Sequence, residues 1–141
     1  MIKKVDLALV NGINRNTMME VLEIQCTEIG DDYIVATMPV GPKTHQPMGL
    51  LHGGASAALI ESIGSIGSAL ILDTDKEVPV GLEINANHPG SMRSGIVRAL
   101  GKIVHAGKRT HVWQVDLTDE STGKLICTGR LTVMVVPKGS K

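Results

Sequence analysis

A long apolar stretch from Pro47 to Leu72 predicts one helix at the centre of the chain. Residues 55–72 contain no proline and consist mainly of alanine, leucine, isoleucine, glycine and serine. At about 1.5 Å per residue, such a helix would be roughly 27 Å long, enough to cross a small domain. Its apolar residues surround the helix axis instead of lying on one side, which is typical of a buried helix.

Alternating apolar and polar positions on both sides of this stretch predict β-strands. Before the helix, Val21–Glu28 and Tyr33–Val40 alternate and are separated by a turn at Ile29–Asp32. After the helix, four further strands are predicted at residues 78–87, 95–105, 110–118 and 125–136. In the first of these four, the residues predicted to share the apolar face are Val78, Val80, Leu82, Ile84 and Ala86.

The order of these elements predicts an α+β domain. Residues 1–20 form an N-terminal segment, in which helical turns are predicted over residues 3–20 with a break near Asn11-Gly12. No βαβ repeat follows the helix, so the sheet is expected to be largely antiparallel and to curve around the helix. We expect a single domain over residues 1–141, ending in a flexible tail at 137–141. One sheet covers one side of the helix, so a second subunit is expected on the other.

Composition narrows the range of partners. Lys plus Arg and Asp plus Glu each number 14, which argues against binding to nucleic acid or to a membrane surface. Cys26 and Cys127 form no Cys-x-x-Cys motif, and the N-terminus lacks the features of a signal peptide. We therefore expect a cytoplasmic protein with reduced thiols. The chain contains no phenylalanine, so aliphatic residues must fill most of the core.

One carboxylate, Glu61, lies in the middle of the predicted helix. Burial of an ionised carboxylate costs on the order of several kcal/mol unless the group is paired, hydrogen-bonded or close to water. Helical spacing predicts that Ser65 and Ser68, four and seven residues further on, lie on the same side. A charge kept at such a position is a candidate for a functional role before any family is considered.

Eight short segments carry a family resemblance. They are IGDD (29–32), ATMPV (36–40), QP (46–47), GLLHGGAS (49–56), ESIGS (61–65), GLEINANH (81–88), VWQ (112–114) and RLT (130–132). In order and spacing they resemble the hotdog-fold acyl-CoA thioesterases of the phenylacetate-pathway type. The most similar branch contains the 1,4-dihydroxy-2-naphthoyl-CoA thioesterase and the enterobactin-pathway proofreading thioesterase. The resemblance implies a hotdog fold and hydrolysis of an acyl-CoA to the free acid and coenzyme A.

The resemblance also implies a role for each catalytic residue. Glu61 matches the catalytic carboxylate of the family, which acts as nucleophile or as general base for water. Gln46 matches a side chain that polarises the thioester carbonyl, and Gly53 matches the backbone N–H that donates to the same oxygen. His52 matches the motif histidine near the thioester. Ser65 occupies the position of a hydroxyl that helps to hold the hydrolytic water.

Contacts with the substrate follow from the same resemblance. The expected coenzyme A-binding residues are Gly81, His88, Ser91, Arg93, His105, Gly107, Lys108, Arg109 and Arg130. Met48 is expected in the acyl pocket, where relatives commonly have phenylalanine. Close relatives also carry a basic residue two positions after the motif histidine. This chain has Gly90 there, and Arg93 is the candidate replacement.

The resemblance implies a shared active site. In this family the carboxylate comes from one subunit of a dimer, the glutamine and glycine come from the other, and two dimers usually form a tetramer. We therefore expect a homotetramer with active sites at the dimer interfaces. The expected substrate is an aryl-CoA, first 1,4-dihydroxy-2-naphthoyl-CoA and next a hydroxybenzoyl thioester. Coenzyme A is part of the substrate, and no cofactor is expected.

Each candidate residue also has a purely structural explanation. Glu61 would be structural if an arginine or Ser65 paired with it, and His52 would be structural if it only capped the helix. Gln46 would have no catalytic role if it were only a solvated polar residue of the loop. Ser65 could bond the carbonyl four residues earlier, as helical serines often do. The charges that could simply be solvated are Lys108, Arg109 and Arg130.

Other chemistries find less support in the sequence. His52 and Glu61 lack the HExxH spacing of a zinc site, so no metal is expected, and the phosphate-binding motifs GxxxxGK[ST] and GxGxxG are absent. A hotdog hydratase or dehydratase would need a second acid or base beside Glu61, and the helix offers no second carboxylate. A non-catalytic acyl-CoA-binding module remains a second alternative, and an attached DNA-binding segment would favour it. The sequence is too short and too neutral to contain one.

Overall fold

The computed structural model describes residues 1–140, which form a six-stranded sheet and one long helix. In chain order the elements are α1 (Leu7–Gly12), α2 (Met18–Val21), β1 (Gln25–Ile29), β2 (Tyr33–Val40), α3 (Gly53–Ile71), β3 (Glu77–Asn87), β4 (Gly95–Ala106), β5 (Thr110–Asp119) and β6 (Leu125–Pro137). The strand order is β1-β2-β4-β5-β6-β3, and every neighbouring pair is antiparallel. The predicted α+β class and the antiparallel sheet are confirmed.

Helix α3 packs against five of the six strands, β2 to β6. A single helix can contact so many strands because the sheet curves around it, and this is the arrangement of the hotdog fold. By length and composition alone, α3 could also cross a membrane, but half of that stretch is buried inside the domain. Its position against the sheet is that of a core helix.

The largest side chain in the otherwise mainly aliphatic core is that of Trp113. The indole is fully buried and lies against two glycines of α3. A Cβ atom on Gly67 would be 2.3 Å from the indole, and one on Gly64 would be 3.3 Å from it. Any larger residue at Gly67 would therefore displace the ring and with it the contact between α3 and β5.

The first strand begins at Gln25, later than predicted, because Val21 belongs to α2. The chain leaves α2 through Glu23, whose φ of 57° lies in the left-handed region. The Ile24 N–H then donates to the Met19 carbonyl at 2.9 Å. This hydrogen-bonded helix end occupies the residues that alternation had assigned to the strand.

The predicted apolar face of β3 is wrong in its first half. A bulge at Leu82 shifts the register against β6 by one residue, so Gly81 and not its neighbours faces α3. Val80 and Leu82 are 46% and 56% exposed, and Val78 shares the side of Val80 because strand residues alternate. From Ile84 onward the inward face is the predicted one, since Ile84 and Ala86 pack against the core.

Both ends of the chain belong to the fold. The helical turns predicted within residues 3–20 are present as α1 and α2. At the other end, β6 continues to Pro137, and the Lys138 N–H donates to a carbonyl just before β3 at 2.8 Å. The sheet thus reaches into residues 137–141, predicted to be a flexible tail. Lys141 lies outside the described residues.

Candidate active site

Helix α3 begins directly after His52, whose side chain caps it. His52 Nδ1 accepts a hydrogen bond from the Gly54 N–H at 2.8 Å, so the capping role that the sequence left open is present. The Gly53 N–H makes no hydrogen bond to another group within residues 1–140. The Gly53 N–H lies at the positive end of the helix dipole, where a backbone N–H can stabilise a negatively charged oxygen.

His88, at the end of β3, lies against the same helix end. A Cβ atom on Gly53 would be 3.0 Å from His88 Nε2, so a side chain at this position would press against the imidazole. Ser91 follows on the exposed loop after β3. The structure therefore brings His88, predicted to bind coenzyme A, together with His52 and Gly53, predicted to be catalytic.

Gln46 lies in a tight turn that leads toward α3. Its N–H donates to the Leu50 carbonyl at 2.8 Å, and its carbonyl accepts from the Gly49 N–H at 2.9 Å. Gly49 has a φ of +74°, a conformation that favours glycine. The side-chain Oε1 accepts from the Met48 N–H. Because a backbone N–H pairs with the amide oxygen, Nε2 is left as the outward donor.

A short ladder fixes this turn beside the helix. His45 pairs with Leu51 as an antiparallel bridge, and the His52 N–H donates to the Thr44 carbonyl at 2.7 Å. Thr44 is buried, and its hydroxyl bonds the carbonyl of Pro39 at the end of β2. The turn that carries Gln46 is thus attached both to the sheet and to the first residue before α3.

Glu61 lies two turns further along α3. Its carboxylate faces Gly81, where a Cβ atom would be only 2.3 Å from Glu61 Oε1. Within residues 1–140 it has neither a hydrogen bond nor a salt bridge, so pairing with an arginine or with Ser65 does not explain its position. Burial raises the pKa of the Glu61 carboxyl, with no compensating charge.

The two serines that follow Glu61 differ in environment. Ser65 is half-buried and makes no side-chain hydrogen bond in the part of the chain that the structure describes. Ser68 is fully buried; its Oγ accepts from Trp113 Nε1 at 2.9 Å and lies 3.0 Å from His111 Nδ1. Burial lowers the pKa of His111. Ser68 is therefore enclosed in the core further along the helix, where it contacts Trp113 and His111 and takes no part in the surroundings of the Glu61 carboxylate.

The predicted coenzyme A-binding residues fall in separate places of one chain. The β4–β5 turn, which carries His105–Arg109, precedes His111 and so lies near Ser68, whereas His88 lies at Gly53. These two positions of α3 are separated by roughly 22 Å at the helical rise per residue. One chain does not bring the two segments together.

Arg130 lies on the other side of the sheet. Its neighbour Gly129 faces α3, where a Cβ atom would be 2.9 Å from Ile60 Cδ1, so Arg130 faces away from the helix. Arg130 Nε donates to Gln114 Oε1 at 2.9 Å. Within one chain, Arg130 is therefore separated from Glu61 by the sheet.

The loop after β3 follows a path that needs Gly90. A Cβ atom there would be 2.4 Å from the Leu125 carbonyl oxygen, and the Gly90 N–H donates to the Ile126 carbonyl at 3.2 Å. The basic residue that relatives carry at this position has no room on this backbone. Arg93 instead reaches back toward Gln46, where its Nη1 donates to the Met48 carbonyl at 3.3 Å.

A cleft of about 250 Å³ opens beside the start of α3. Its apolar lining comes from Met18 and Leu22 near α2 and from Ala55 and Ala58 of α3. The polar residues that line it are Lys43, Thr44, His45 and His52. Ala58 precedes Glu61 by three residues, which is less than one helical turn, but Glu61 itself does not line the cleft. The contribution of Met18 and Leu22 to the cleft was not predicted from the sequence, because no functional role was assigned to residues 18–22.

A model of the thioesterase superfamily matches residues 48–126 of this chain. This span is more than half of the sequence, and it contains the start of α3, Glu61 and the loop after β3. The chain belongs to the thioesterase superfamily. It is an enzyme, a thioester hydrolase, as the resemblance implied.

Two relatives cover nearly the whole thioesterase. It is 47% identical over 134 residues to the 1,4-dihydroxy-2-naphthoyl-CoA hydrolase of Escherichia coli strain K12, which covers 95% of this chain and 97% of the relative. It is 42% identical over 130 residues to the proofreading thioesterase EntH of Cronobacter turicensis, covering 92% and 93%. The recognised family is therefore confirmed.

Solved structures share the fold of this thioesterase. The crystal structure of a mutant thioesterase from Pseudomonas aeruginosa, with alanine in place of a glutamine, has a TM-score of 0.93 and 44% identity and covers 96% of each chain. Two mutants of one Staphylococcus aureus protein have TM-scores of 0.82 at 44% and 43% identity and cover 85% of this chain and 98% of theirs. One carries alanine in place of a glutamine, the other in place of a glutamate fifteen positions later.

Proposed function

We propose that this thioesterase hydrolyses the coenzyme A thioester of an aromatic acid and releases the acid and free coenzyme A. The first candidate is 1,4-dihydroxy-2-naphthoyl-CoA, followed by hydroxybenzoyl thioesters. The relative that acts on 1,4-dihydroxy-2-naphthoyl-CoA, at 47% identity over nearly the whole chain, supports this choice. Coenzyme A is part of the substrate, and the proposed reaction uses no other cofactor and no metal.

The observation that carries the proposal lies on α3, where the Glu61 carboxylate and the Gly53 N–H both have no hydrogen-bond partner within residues 1–140. Hydrolysis of a thioester passes through a tetrahedral intermediate with a negative oxygen. Preorganised donors stabilise that oxygen, and loss of one such donor typically costs ~3–4 kcal/mol. The Gly53 N–H and Gln46 Nε2 are the two donors proposed here.

Glu61 is proposed to supply the electron pair for the attack. Either its carboxylate adds to the thioester carbon and water then hydrolyses the resulting anhydride, or it removes a proton from a water that adds directly. In both routes the carbon–sulfur bond breaks and the sulfur leaves as a thiolate that takes up a proton. Water thus supplies the oxygen of the acid product. Ser65, four residues beyond Glu61, is the proposed partner of the attacking water.

Distance along the helix supports a shared site. Gly53 and Glu61 are eight residues apart on α3, which corresponds to roughly 12 Å at the helical rise. A carbonyl oxygen bound by the Gly53 N–H would therefore lie far from Glu61 of the same chain. We propose that Gly53 and Gln46 of one chain act with Glu61 of a second copy, in a homodimer that pairs into a tetramer.

The spacing of the two polar residues gives independent support. Gln46 and Glu61 are fifteen residues apart, and the same spacing separates the glutamine and the glutamate replaced in the Staphylococcus aureus structures. This shared spacing supports the proposed roles of Gln46 as a loop donor and Glu61 as the helix carboxylate.

The cleft beside α3 is proposed to hold the aromatic acyl group. Its apolar wall suits a flat ring, and its polar groups could bond ring hydroxyls, which aliphatic acyl chains lack. Met48, predicted in the acyl pocket, is 71% exposed in one chain, so it can line the site only where a second copy covers it. Its flexible side chain would favour a broad range of acyl groups.

Coenzyme A is proposed to cross the dimer interface. His88 and Ser91 lie near the start of α3, whereas Lys108 and Arg109 lie near the end of the helix in the same chain. A second copy can supply the missing segment, so that the cations of the β4–β5 turn meet the phosphates. We propose the cytoplasm as the compartment, because both cysteines are free and coenzyme A thioesters are substrates of cytoplasmic metabolism.

The substrate class is tested by measuring thiol release from a panel of aryl and aliphatic acyl-CoA substrates. We expect the highest kcat/KM for a hydroxylated aryl-CoA, with several other aryl thioesters also hydrolysed. A benzoyl thioester without the hydroxyl is the matched control for the polar groups of the cleft. The assignment would fail if a medium-chain aliphatic acyl-CoA had a kcat/KM about tenfold above every aryl substrate, a difference equal to ~1.4 kcal/mol.

The position of Glu61 is tested with Gly81→Ala. The added methyl group would lie 2.3 Å from Glu61 Oε1, and the flexible end of Glu61 can move to avoid it. Misplacement by about 1 Å can lower a rate by up to ~10²-fold, so we expect kcat to fall by tenfold or more on this scale with little change in Tm. Gly12→Ala, where a Cβ atom meets nothing within 4 Å, is the control. Full kcat in Gly81→Ala would mean that Glu61 does not act from this position.

A further inference from the structure

Two loops are joined beside the proposed oxyanion donors. One is the segment 41–52, which carries Gln46 and leads into α3. The other is the segment 91–93 before β4. Three hydrogen bonds connect them: Leu51 N–H to the Met92 carbonyl (2.8 Å), His45 Nε2 to the Arg93 carbonyl (2.7 Å) and Arg93 Nη1 to the Met48 carbonyl (3.3 Å).

Met48 connects Arg93 to Gln46. The Met48 N–H holds Gln46 Oε1, and the Met48 carbonyl accepts from the Arg93 guanidinium. Arg93 Nη1 also lies 3.7 Å from the Cβ position of Gly49, the residue that closes the turn. The Gln46 side chain is thus held by the N–H of Met48. The guanidinium contacts the next peptide group of the turn, at the carbonyl of Met48.

Arg93 has no competing partner in the described chain. Its side chain is exposed and forms no salt bridge within residues 1–140, and its side-chain hydrogen bond is the one to Met48. The backbone of the same segment is anchored by Met92, which is buried. An exposed arginine that is directed onto a backbone carbonyl beside the site suggests a role in the geometry of the site.

We propose that Arg93 is a positioning residue that holds Gln46 Nε2 toward the thioester oxygen through the backbone of Met48. The inference rests on the proposed role of Gln46 as a donor to that oxygen. It differs from the phosphate contact that the sequence suggested for Arg93. A positioning role affects the chemical step with any thioester, whereas a phosphate contact affects only substrates that carry the nucleotide.

The first test compares Arg93→Met on an acyl-CoA and on the matching acyl-pantetheine, which lacks the nucleotide and its phosphates. We expect kcat to fall on the order of tenfold on both substrates, less than the loss of a whole oxyanion donor. KM should change little, and Tm should stay within a degree or two because Arg93 is exposed. Arg109→Met is the contrasting variant, expected to raise KM for the acyl-CoA alone. A loss confined to the acyl-CoA would overturn the positioning role.

The second test is a double-mutant cycle with Gln46→Ala. If Arg93 acts through Gln46, the double variant Gln46→Ala with Arg93→Met should have the kcat of Gln46→Ala alone. If Arg93 acts independently, the two losses should multiply, which would overturn the proposal. Arg93→Lys retains one donor and should recover part of the kcat lost in Arg93→Met. No recovery, together with a lowered Tm, would mean that Arg93 only stabilises the loop.

The outcomes separate this inference from the proposed function. If Gln46→Ala itself retains full kcat, the proposed donor role of Gln46 fails, and the positioning role of Arg93 fails with it. If Gln46→Ala lowers kcat but Arg93→Met does not, the proposed function stands and only the role of Arg93 is wrong. The expected pattern is a large loss in Gln46→Ala, a smaller loss in Arg93→Met and no further loss in the double variant.

Discussion

Glu61→Gln should lower kcat by at least ~10²-fold, because removal of a general base alone typically costs ~10²–10⁴ in rate. The substitution keeps the volume of the side chain and removes the charge that would attack the thioester or deprotonate water. Gln46, Gly53 and the coenzyme A contacts are untouched, so Kd for the acyl-CoA should remain within a few-fold of the parent. Steady-state kinetics and binding to an acyl-CoA in the inactive variant measure the two effects separately.

The raised pKa of Glu61 sets the direction of the accompanying stability change. A carboxyl whose pKa is higher in the folded than in the unfolded state binds its proton more tightly when folded. Stability contributed by this group is therefore greatest at low pH and falls as pH rises between the unfolded and folded pKa values. Glu61→Gln should show an unchanged or higher Tm near neutral pH, and any gain should vanish below the ordinary glutamate range.

The same shift predicts the acidic limb of the pH profile. Glu61 must be ionised to act, so kcat should fall as pH drops through its folded pKa, which lies above the ordinary glutamate value. The residual activity of Glu61→Gln should lack this limb. If that variant kept most of the parent kcat, or if the acidic limb stayed in place, Glu61 would have no role in the chemical step. Glu61→Asp retains the charge on a shorter side chain, so it separates the effect of losing the charge from the effect of moving the carboxylate.

The sequence could predict the fold because its central helix allows few alternatives. Apolar residues on all sides of residues 55–72 require cover, and a curved sheet of the predicted strands is the element that can provide it on one side of the helix. The boundaries of β4 and β5 were predicted within one residue because buried and more exposed positions alternate along most of each strand, although β4 contains a bulge at Val104. Regular alternation fails at β3, where the bulge at Leu82 inserts an extra residue and exchanges the two faces. Gly81, a glycine inside a strand, was the available signal for such a bulge.

Helical spacing and loop chemistry predicted only part of the candidate site. Spacing placed Ser65 and Ser68 beside Glu61, but the angle around a helix does not reveal where the sheet begins to cover it. Ser68 falls under β5 and bonds Trp113, whereas Ser65 remains half-buried on the Glu61 side. Contacts between distant loops were likewise out of reach. The bond from Arg93 to Met48 joins residues forty-five positions apart, and nothing in the local sequence of either predicts it.

In a single chain the proposed oxyanion donor and the proposed catalytic carboxylate lie apart along α3. This separation leads to the second prediction with a large expected effect on activity. Eight residues of α3 separate the Gly53 N–H from Glu61, and fifteen separate it from Ser68 near the β4–β5 turn. The backbone positions of the donor and of the carboxylate residue are therefore separated by roughly 12 Å along the helix axis. This separation is the reason for the proposal that the two groups of one site come from different copies of the chain.

Glu61→Gln and Gln46→Ala should therefore complement each other when they are co-expressed. Random pairing makes half of the dimers mixed, and each mixed dimer combines the intact Glu61 of one chain with the intact Gln46 of the other in one of its two sites. Activity should return to about a quarter of the parent value, far above that of either variant alone. Thiol release is measured on the co-expressed protein and on each variant purified alone, and all preparations are compared at equal protein concentration.

Co-expression of the parent with the double variant Gln46→Ala and Glu61→Gln gives the matched control. In a shared site, both sites of a mixed dimer are broken, so only the parent homodimers are active and the co-expressed mixture should keep about a quarter of the parent activity. If each chain carried a complete site, the mixture would instead keep about half of the parent activity, and the two single variants would not complement. The two experiments thus predict opposite results for the two arrangements. The rigid separation of Gly53 and Glu61 along α3 favours the shared one.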